Sequence, residues 1–175
     1  MKVYVARHGQ TAWNALSKTC GKTDLPLTEE GIRQAEALAE KIKEVSPDLI
    51  IASTMIRAIQ TANIVADACG APVITDERLV ELDYGIFEGQ DRKVPAFLEN
   101  KKHFAYRFPG GESMLQLCYR IYSFLEDLKK RKEEKILVVC HGGVCRMMNT
   151  YFEDMKNEEF VVYSPANAEV KEYTL

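Results

Sequence analysis

No apolar run in this 175-residue chain approaches the roughly 20 residues that a bilayer-crossing helix needs. Met1 leads straight into the strand-like Val3-Tyr4-Val5-Ala6, with no charged start and long apolar stretch of the kind that marks a signal peptide. Positive charge is not in excess. The formal net charge is −3, so general binding to nucleic acid or to a membrane surface is not expected. Cys20, Cys69, Cys118, Cys140 and Cys145 are odd in number and include no Cys-x-x-Cys. They read as reduced thiols of a cytoplasmic protein. Cys140, His141 and Cys145 lie close in sequence, but strand burial of Cys140 accounts for this better than a metal site does. Repeats, low-complexity tracts and Pro/Gly-rich linkers are also missing, so residues 1–175 read as one domain, long enough to bury a substantial core.

What is present is a set of short, unbroken apolar runs, each followed by a helical pattern. Val3–Ala6 runs into Arg7-His8-Gly9, Leu49–Ala52 into Ser53, and Ile136–Cys140 into His141-Gly142-Gly143. Such runs read as strands of a parallel sheet covered on both faces. Val73-Ile74 reads as a further short strand. Val161-Val162-Tyr163 and Glu169 to Thr174 read as closing strands, the last at an edge. Thr28 is placed to cap a helix running to about Val45, and Ser53 to cap another that Gly70 ends. A long helix is expected from about Glu112, its stripe formed by Met114, Leu117, Cys118, Ile121, Leu125 and Leu128.

If the first three strands are parallel neighbours, their C-terminal ends share one sheet edge, where open α/β sheets bind ligands and helix N-termini favour anions. Arg7, His8, Arg57 and His141 then converge although they are far apart in sequence. An imidazole is an effective nucleophile near neutral pH, and an arginine fork matches phosphate bidentately.

Six ordered motifs carry a resemblance over essentially the whole chain. They are Arg7-His8-Gly9-Gln10-Thr11-Ala12-Trp13-Asn14, Gly21-x-x-Asp24-x-Pro26-Leu27-Thr28-x-x-Gly31, Ser53-x-x-x-Arg57-Ala58-x-Gln60-Thr61-Ala62, Glu81-x-x-x-Gly85-x-x-Glu88-Gly89, Pro109-Gly110-Gly111-Glu112-Ser113 and His141-Gly142-Gly143-Val144-Cys145-Arg146. The chain resembles the histidine phosphatase superfamily, the phosphoglycerate-mutase-like enzymes. The resemblance implies a three-layer α/β/α fold with a mixed, mainly parallel central sheet. It implies phosphoryl transfer through a phosphohistidine on His8, with nearby arginines keeping that imidazole neutral. Arg7, Arg57 and His141 are expected to clamp the phosphoryl oxygens, and Asn14 to touch them too. Glu81 is expected to be the acid that becomes a base, with Glu88 its competitor. No metal or other cofactor is implied.

Within the family, hydrolysis is favoured over mutase action. Only 27 residues separate Glu81 from Pro109, which leaves little room for the mutases' substrate-covering insertion, and no Arg-Arg-Ser stretch occurs there. Gly142 stands where the mutase pattern has Asn. Cys20, ahead of Gly21, replaces a residue that is often Gln or Thr in relatives and puts a thiol at the rim, open to reaction. Cys20, Gly21 and Gly142 are accordingly candidate substrate contacts. Residues 84–108, with Phe87, Phe97, Phe104, Tyr106, Phe108, Arg92, Lys93, Lys101, Lys102 and Arg107, are expected to cap the site. The expected partner is a small phosphate ester, such as a sugar phosphate, nucleotide or α-ribazole phosphate, acted on by a monomer or homodimer. A phosphoglycerate-type mutase and a phospho-ligand-binding protein without turnover are the alternatives.

Overall fold

The computed structural model describes residues 1–175. Five strands, β1 (Lys2–Arg7), β2 (Leu49–Ala52), β3 (Val73–Thr75), β4 (Lys135–Cys140) and β5 (Val170–Thr174), form one sheet in the order β3-β2-β4-β1-β5. All pairings are parallel except β1 with β5, which closes the edge antiparallel. The helices are α1 (Ala12–Ala15), α2 (Glu29–Val45), α3 (Ile56–Cys69), α4 (Pro95–Asn100), α5 (Met114–Leu128), α6 (Gly142–Phe152) and α7 (Asn157–Val162).

Strand side chains alternate between two cores, and this makes three layers. Ala6, Ile50, Ala52, Leu137 and Val139 pack against Leu38 and Ile42 of α2 and Ala58, Ala62 and Val65 of α3. Val3, Val5, Ile51, Ile136 and Val138 pack on the opposite face against Leu117, Ile121, Phe124 and Leu125 of α5 and Val144 and Met148 of α6. Both faces of the sheet are thus covered, which is why its inner strands are continuously apolar. Thr28 caps α2 as expected, its hydroxyl accepting from Gly31 N. Gly70, at φ 75°, ends α3.

Three elements depart from expectation. Val161-Val162-Tyr163 is not a strand: Val161 and Val162 finish α7. Acidic Glu158 and Glu159 in its first turn and buried Phe160 favour a helix, overriding the β preference of the valines. Ser53 does not cap α3, which starts two residues later behind Met55. The first helical N–H, of Ile56, is taken instead by Asp24 Oδ1 at 2.9 Å, from a distant loop. The long helix begins at Met114 under a Ser113 cap, and its core stripe includes Phe124, whereas Cys118 is only half-buried.

Candidate active site

Strand register alone brings the site together. Arg7 pairs with Cys140 and Ala52 with Val139, so His8, His141 and Ser53 leave adjacent strand ends side by side. The rings of His8 and His141 meet edge to face at 5.1 Å. His8 Nδ1 lies 2.6 Å from the Gly9 carbonyl. A carbonyl only accepts, so Nδ1 carries the proton and Nε2 keeps its lone pair. His8 is 3% exposed. Burial, first, and then the charges of Arg57 and Arg7 hold its pKa well below the usual histidine value. Burial outweighs the arginines, which were expected to be the main cause.

A cavity of about 390 Å³ opens over His8, walled also by Arg7, Asn14, Cys20, Glu81 and Gly142. Arg7 Nη1 donates to the Pro165 carbonyl at 2.7 Å. Its buried Nε has no acceptor in the protein. Asn14 Oδ1 accepts from Thr11 N at 3.0 Å and Asn167 Nδ2 at 3.4 Å. Its own amide N–H groups are therefore free for an acceptor in the cavity. A free imidazole lone pair beside unspent N–H donors suits attack on an anionic, oxygen-rich centre.

Glu81 and Glu88 have separate places. Glu81 is on the wall, 5% exposed, held by Leu82 N to Oε1 at 2.8 Å and by Gly143 N to Oε2 at 2.9 Å. Glu88 is off the wall and spends its carboxylate on Gly21 N, Lys22 N, Thr23 N and the Thr23 hydroxyl, at 2.8–3.3 Å. It organises a loop and leaves Glu81 as the carboxyl of the cavity.

Arg57 and His141 are fully buried, just behind the residues that line the cavity. Arg57 donates Nη2 to Gly21 O at 2.7 Å, Nη1 to Thr23 O at 2.9 Å and Nε to His141 Nδ1 at 3.2 Å. His141 Nδ1 is thus an acceptor, and its Nε2–H faces Ser53 Oγ at 2.8 Å. Burial and then Arg57 lower the His141 pKa well below its ordinary value. The 21–23 loop, Arg57, His141 and Ser53 therefore form a layer beneath His8.

Two candidate contacts change meaning with this layer. Gly21 is not on the wall: its N–H serves Glu88 and its carbonyl serves Arg57. A Cβ there would fall 2.2 Å from Glu88 Oε1 and 2.3 Å from Leu82 O, so the close approach requires glycine. Cys20 is on the wall but only 8% exposed, with Sγ 3.7 Å from Thr23 O. Burial raises its thiol pKa, which opposes the reactivity expected of a rim thiolate. Gly142 does line the cavity. A side chain there would meet Arg7 Nε at an ordinary 3.6 Å, so glycine is not sterically imposed and its effect is to leave the wall open.

Residues 84–108 give the wall Tyr84, Arg92, Phe97, Leu98 and Lys101. Tyr84, Phe87, Phe97 and Phe108 pack on one another by their rings, so most of the segment's aromatic content is core. Lys93, Lys102 and Arg107 are exposed and lie off the wall. Several site residues went unrecognised in the sequence, among them Thr19, Ser164, Gly143 and Arg146. Gly143 anchors Glu81, and Arg146 joins the wall from α6. Arg146 carried a usable signal, four residues beyond the wall residue Gly142 and so on the same helix face.

The chain is similar to known proteins over nearly all of its length. A family model described as "Histidine phosphatase superfamily (branch 1)" matches residues 3–175. The chain belongs to that superfamily. Over 150 residues it is 40% identical to a Yersinia pestis protein named probable phosphoglycerate mutase GpmB, covering 81% of this chain and 70% of that one. A mycobacterial glucosyl-3-phosphoglycerate phosphatase complexed with VO3 superposes with a TM-score of 0.87 at 26% identity, over 98% of this chain and 90% of that one. The α-ribazole phosphatase of Shigella flexneri gives 0.85 at 25% identity, over 98% and 89%. The family, the fold and these neighbours make the protein a phosphatase or phosphotransferase enzyme.

Proposed function

We propose that the protein hydrolyses phosphomonoesters through a phosphohistidine on His8. The observation that carries this reading is the fixed tautomer: with Nδ1–H donated to Gly9 O, the Nε2 lone pair is ready for in-line attack on phosphorus. Arg7 Nε and the Asn14 amide bind equatorial oxygens, and no metal ion takes part. Arg57 acts from one layer down. Three of its five N–H groups orient the 21–23 loop and His141, and its charge lies under the phosphoryl group. Glu81 protonates the departing alkoxide, then takes a proton from the water that attacks the phosphoenzyme. The mutase name of the Yersinia relative favours a second reading, transfer back to substrate in place of water. The short segment after Glu81 and the open wall at Gly142 favour hydrolysis, as do the phosphatase structures.

The test is turnover of p-nitrophenyl phosphate with rapid-quench labelling. Acid-labile, base-stable label is expected on His8 and is lost, with activity, in a His8→Ala protein of unchanged circular dichroism. Substantial turnover by folded His8→Ala would refute the covalent route, and a wild type that binds phosphate without turnover would refute the enzyme reading.

A further inference from the structure

Two peptide groups flank Gly9, and each is held by a side chain with no part in the chemistry described so far. The Gly9 N–H donates to Thr61 Oγ1 at 3.1 Å, and that hydroxyl spends its own proton on the Arg57 carbonyl at 2.8 Å. The next peptide carries the Gly9 carbonyl, which accepts from His8 Nδ1–H, and the Gln10 N–H, which donates to Gln34 Oε1 at 2.9 Å. Gln34 lies on α2, one turn past Glu30, and donates Nε2–H to the Glu30 carboxylate at 3.4 Å. Its amide faces one way only, since the Gln10 N–H needs an acceptor and Glu30 a donor. Helix α2 reaches this peptide because Gly9 and Gly31 meet main chain to main chain. A Cβ on Gly9 would strike the Gly31 carbonyl, and one on Gly31 the Gln10 carbonyl. Thr28 N, at the start of α2, donates to that Gln10 carbonyl at 2.9 Å.

We infer that Gln34 is a positioning residue: through the Gly9–Gln10 peptide it holds the proton on His8 Nδ1 and so keeps Nε2 free to attack. Hydrogen bonds in a chain polarise one another. An acceptor on the Gln10 N–H moves electron density onto the Gly9 oxygen and makes it a stronger acceptor for the imidazole. The demand on that oxygen grows during phosphoryl transfer. As the Nε2–P bond forms, the P–O bond to the leaving group breaks, and its electron pair departs with the oxygen that Glu81 protonates. The imidazole keeps its Nδ1–H and gains positive charge, where the charges of Arg57 and Arg7 already oppose a further cation. The Gly9 carbonyl is the acceptor that meets the ring, so its aim and its partial charge bear on the barrier. Thr61 sets where Gly9 lies, whereas Gln34 sets how the carbonyl points and how negative it is.

The inference rests on His8 as the nucleophile, and two readouts keep the two readings apart. Gln34→Met removes the acceptor but keeps the length and helix preference of the side chain, and Gln34→Glu restores an acceptor. In rapid-quench labelling with p-nitrophenyl phosphate, Gln34→Met should phosphorylate His8 about 3- to 10-fold more slowly, the range for one hydrogen bond. Gln34→Glu should recover most of that rate. The second readout needs no turnover. The downfield proton resonance of His8 Nδ1–H, assigned by its loss in His8→Ala, should move upfield in Gln34→Met and return in Gln34→Glu. A merely structural role would act through the folded fraction, leaving folded molecules with the wild-type resonance. An unmoved resonance would therefore overturn the inference, as would full-rate labelling of Gln34→Met. A resonance that moves, in a protein never labelled on His8, would uphold the hold of Gln34 on that proton and overturn the phosphohistidine reading alone. An unmoved resonance in an unlabelled protein would overturn both.

Discussion

The most direct way to separate Glu81 from the rest of the site is to push it without touching it. Gly143→Ala does this. A Cβ at position 143 would lie 2.4 Å from Glu81 Oε1 and 3.3 Å from the Tyr84 hydroxyl. The carboxylate has no free direction to yield, being tied to Leu82 N and to Gly143 N itself. Opening the contact to ordinary van der Waals range requires a shift of about 1 Å, and displacements of that size cost catalysis about 100-fold. The loss belongs to proton transfer, so it depends on the leaving group. An alkyl phosphate, whose alkoxide must be protonated, should lose about 100-fold in kcat/KM, a quantity that reports the phosphorylation step. p-Nitrophenyl phosphate, whose phenolate leaves unaided, should lose much less, and Glu81→Gln should reproduce the same asymmetry. A folded Gly143→Ala protein that keeps its alkyl phosphatase activity, or loses both activities equally, would refute the assignment of Glu81 as the acid.

Stability should fall as pH drops below the ordinary histidine value. His8 and His141 are both held well below it in the folded state. Below about 6.5 the unfolded chain therefore binds protons that the native one refuses, at a cost of up to about 1.4 kcal/mol per pH unit for each histidine. Urea midpoints between pH 6.5 and 5.5, a window in which surface carboxylates stay ionised, should decline in the wild type and less steeply in His141→Asn. A flat profile would contradict the neutral, buried pair. Given 3-phosphoglycerate and a trace of bisphosphate primer, the protein should release phosphate faster than it isomerises the ester. Rapid equilibration of the 2- and 3-phosphates with negligible free phosphate would establish the mutase reading.

The legibility of this site followed the range of the forces that build it. Arg7-His8-Gly9 and His141-Gly142-Gly143 were readable because each follows an apolar strand, and parallel strands set their C-terminal ends in register. That register was enough to bring two histidines far apart in sequence within 5.1 Å of each other. The roles of Arg57 and Glu88 were not readable. They depend on which carbonyl or amide of the 21–23 loop faces which side chain, a matter of tertiary approach and not of spacing. Gly143 was visible only as part of a motif, since its purpose lies in the Glu81 carboxylate across the cavity. The valines of α7 misled because β-branched residues in a row carry a strand signal. The helix end they occupy is decided instead by Phe160 beneath them and by the acidic first turn before them.

The two layers of the site explain each other energetically. Arg57 is completely buried, and its nearest carboxylate oxygen, on Asp24, is 3.9 Å away, too far for a hydrogen bond. A buried charge so weakly paired is costly unless it is well solvated by dipoles. The Gly21 and Thr23 carbonyls and the His141 lone pair are those dipoles, and Glu88 holds the loop that presents two of them. This solution works only while His141 is neutral, for a protonated His141 has no lone pair to offer Arg57. The burial and the positive field that keep it neutral therefore also maintain the arginine's own solvation. Under the proposed mechanism the same field reaches the cavity above, where it helps to keep His8 able to attack and favours an anion. Under that mechanism, positive charge so sparingly paired with carboxylate is offset by the phosphoryl group on which the site acts.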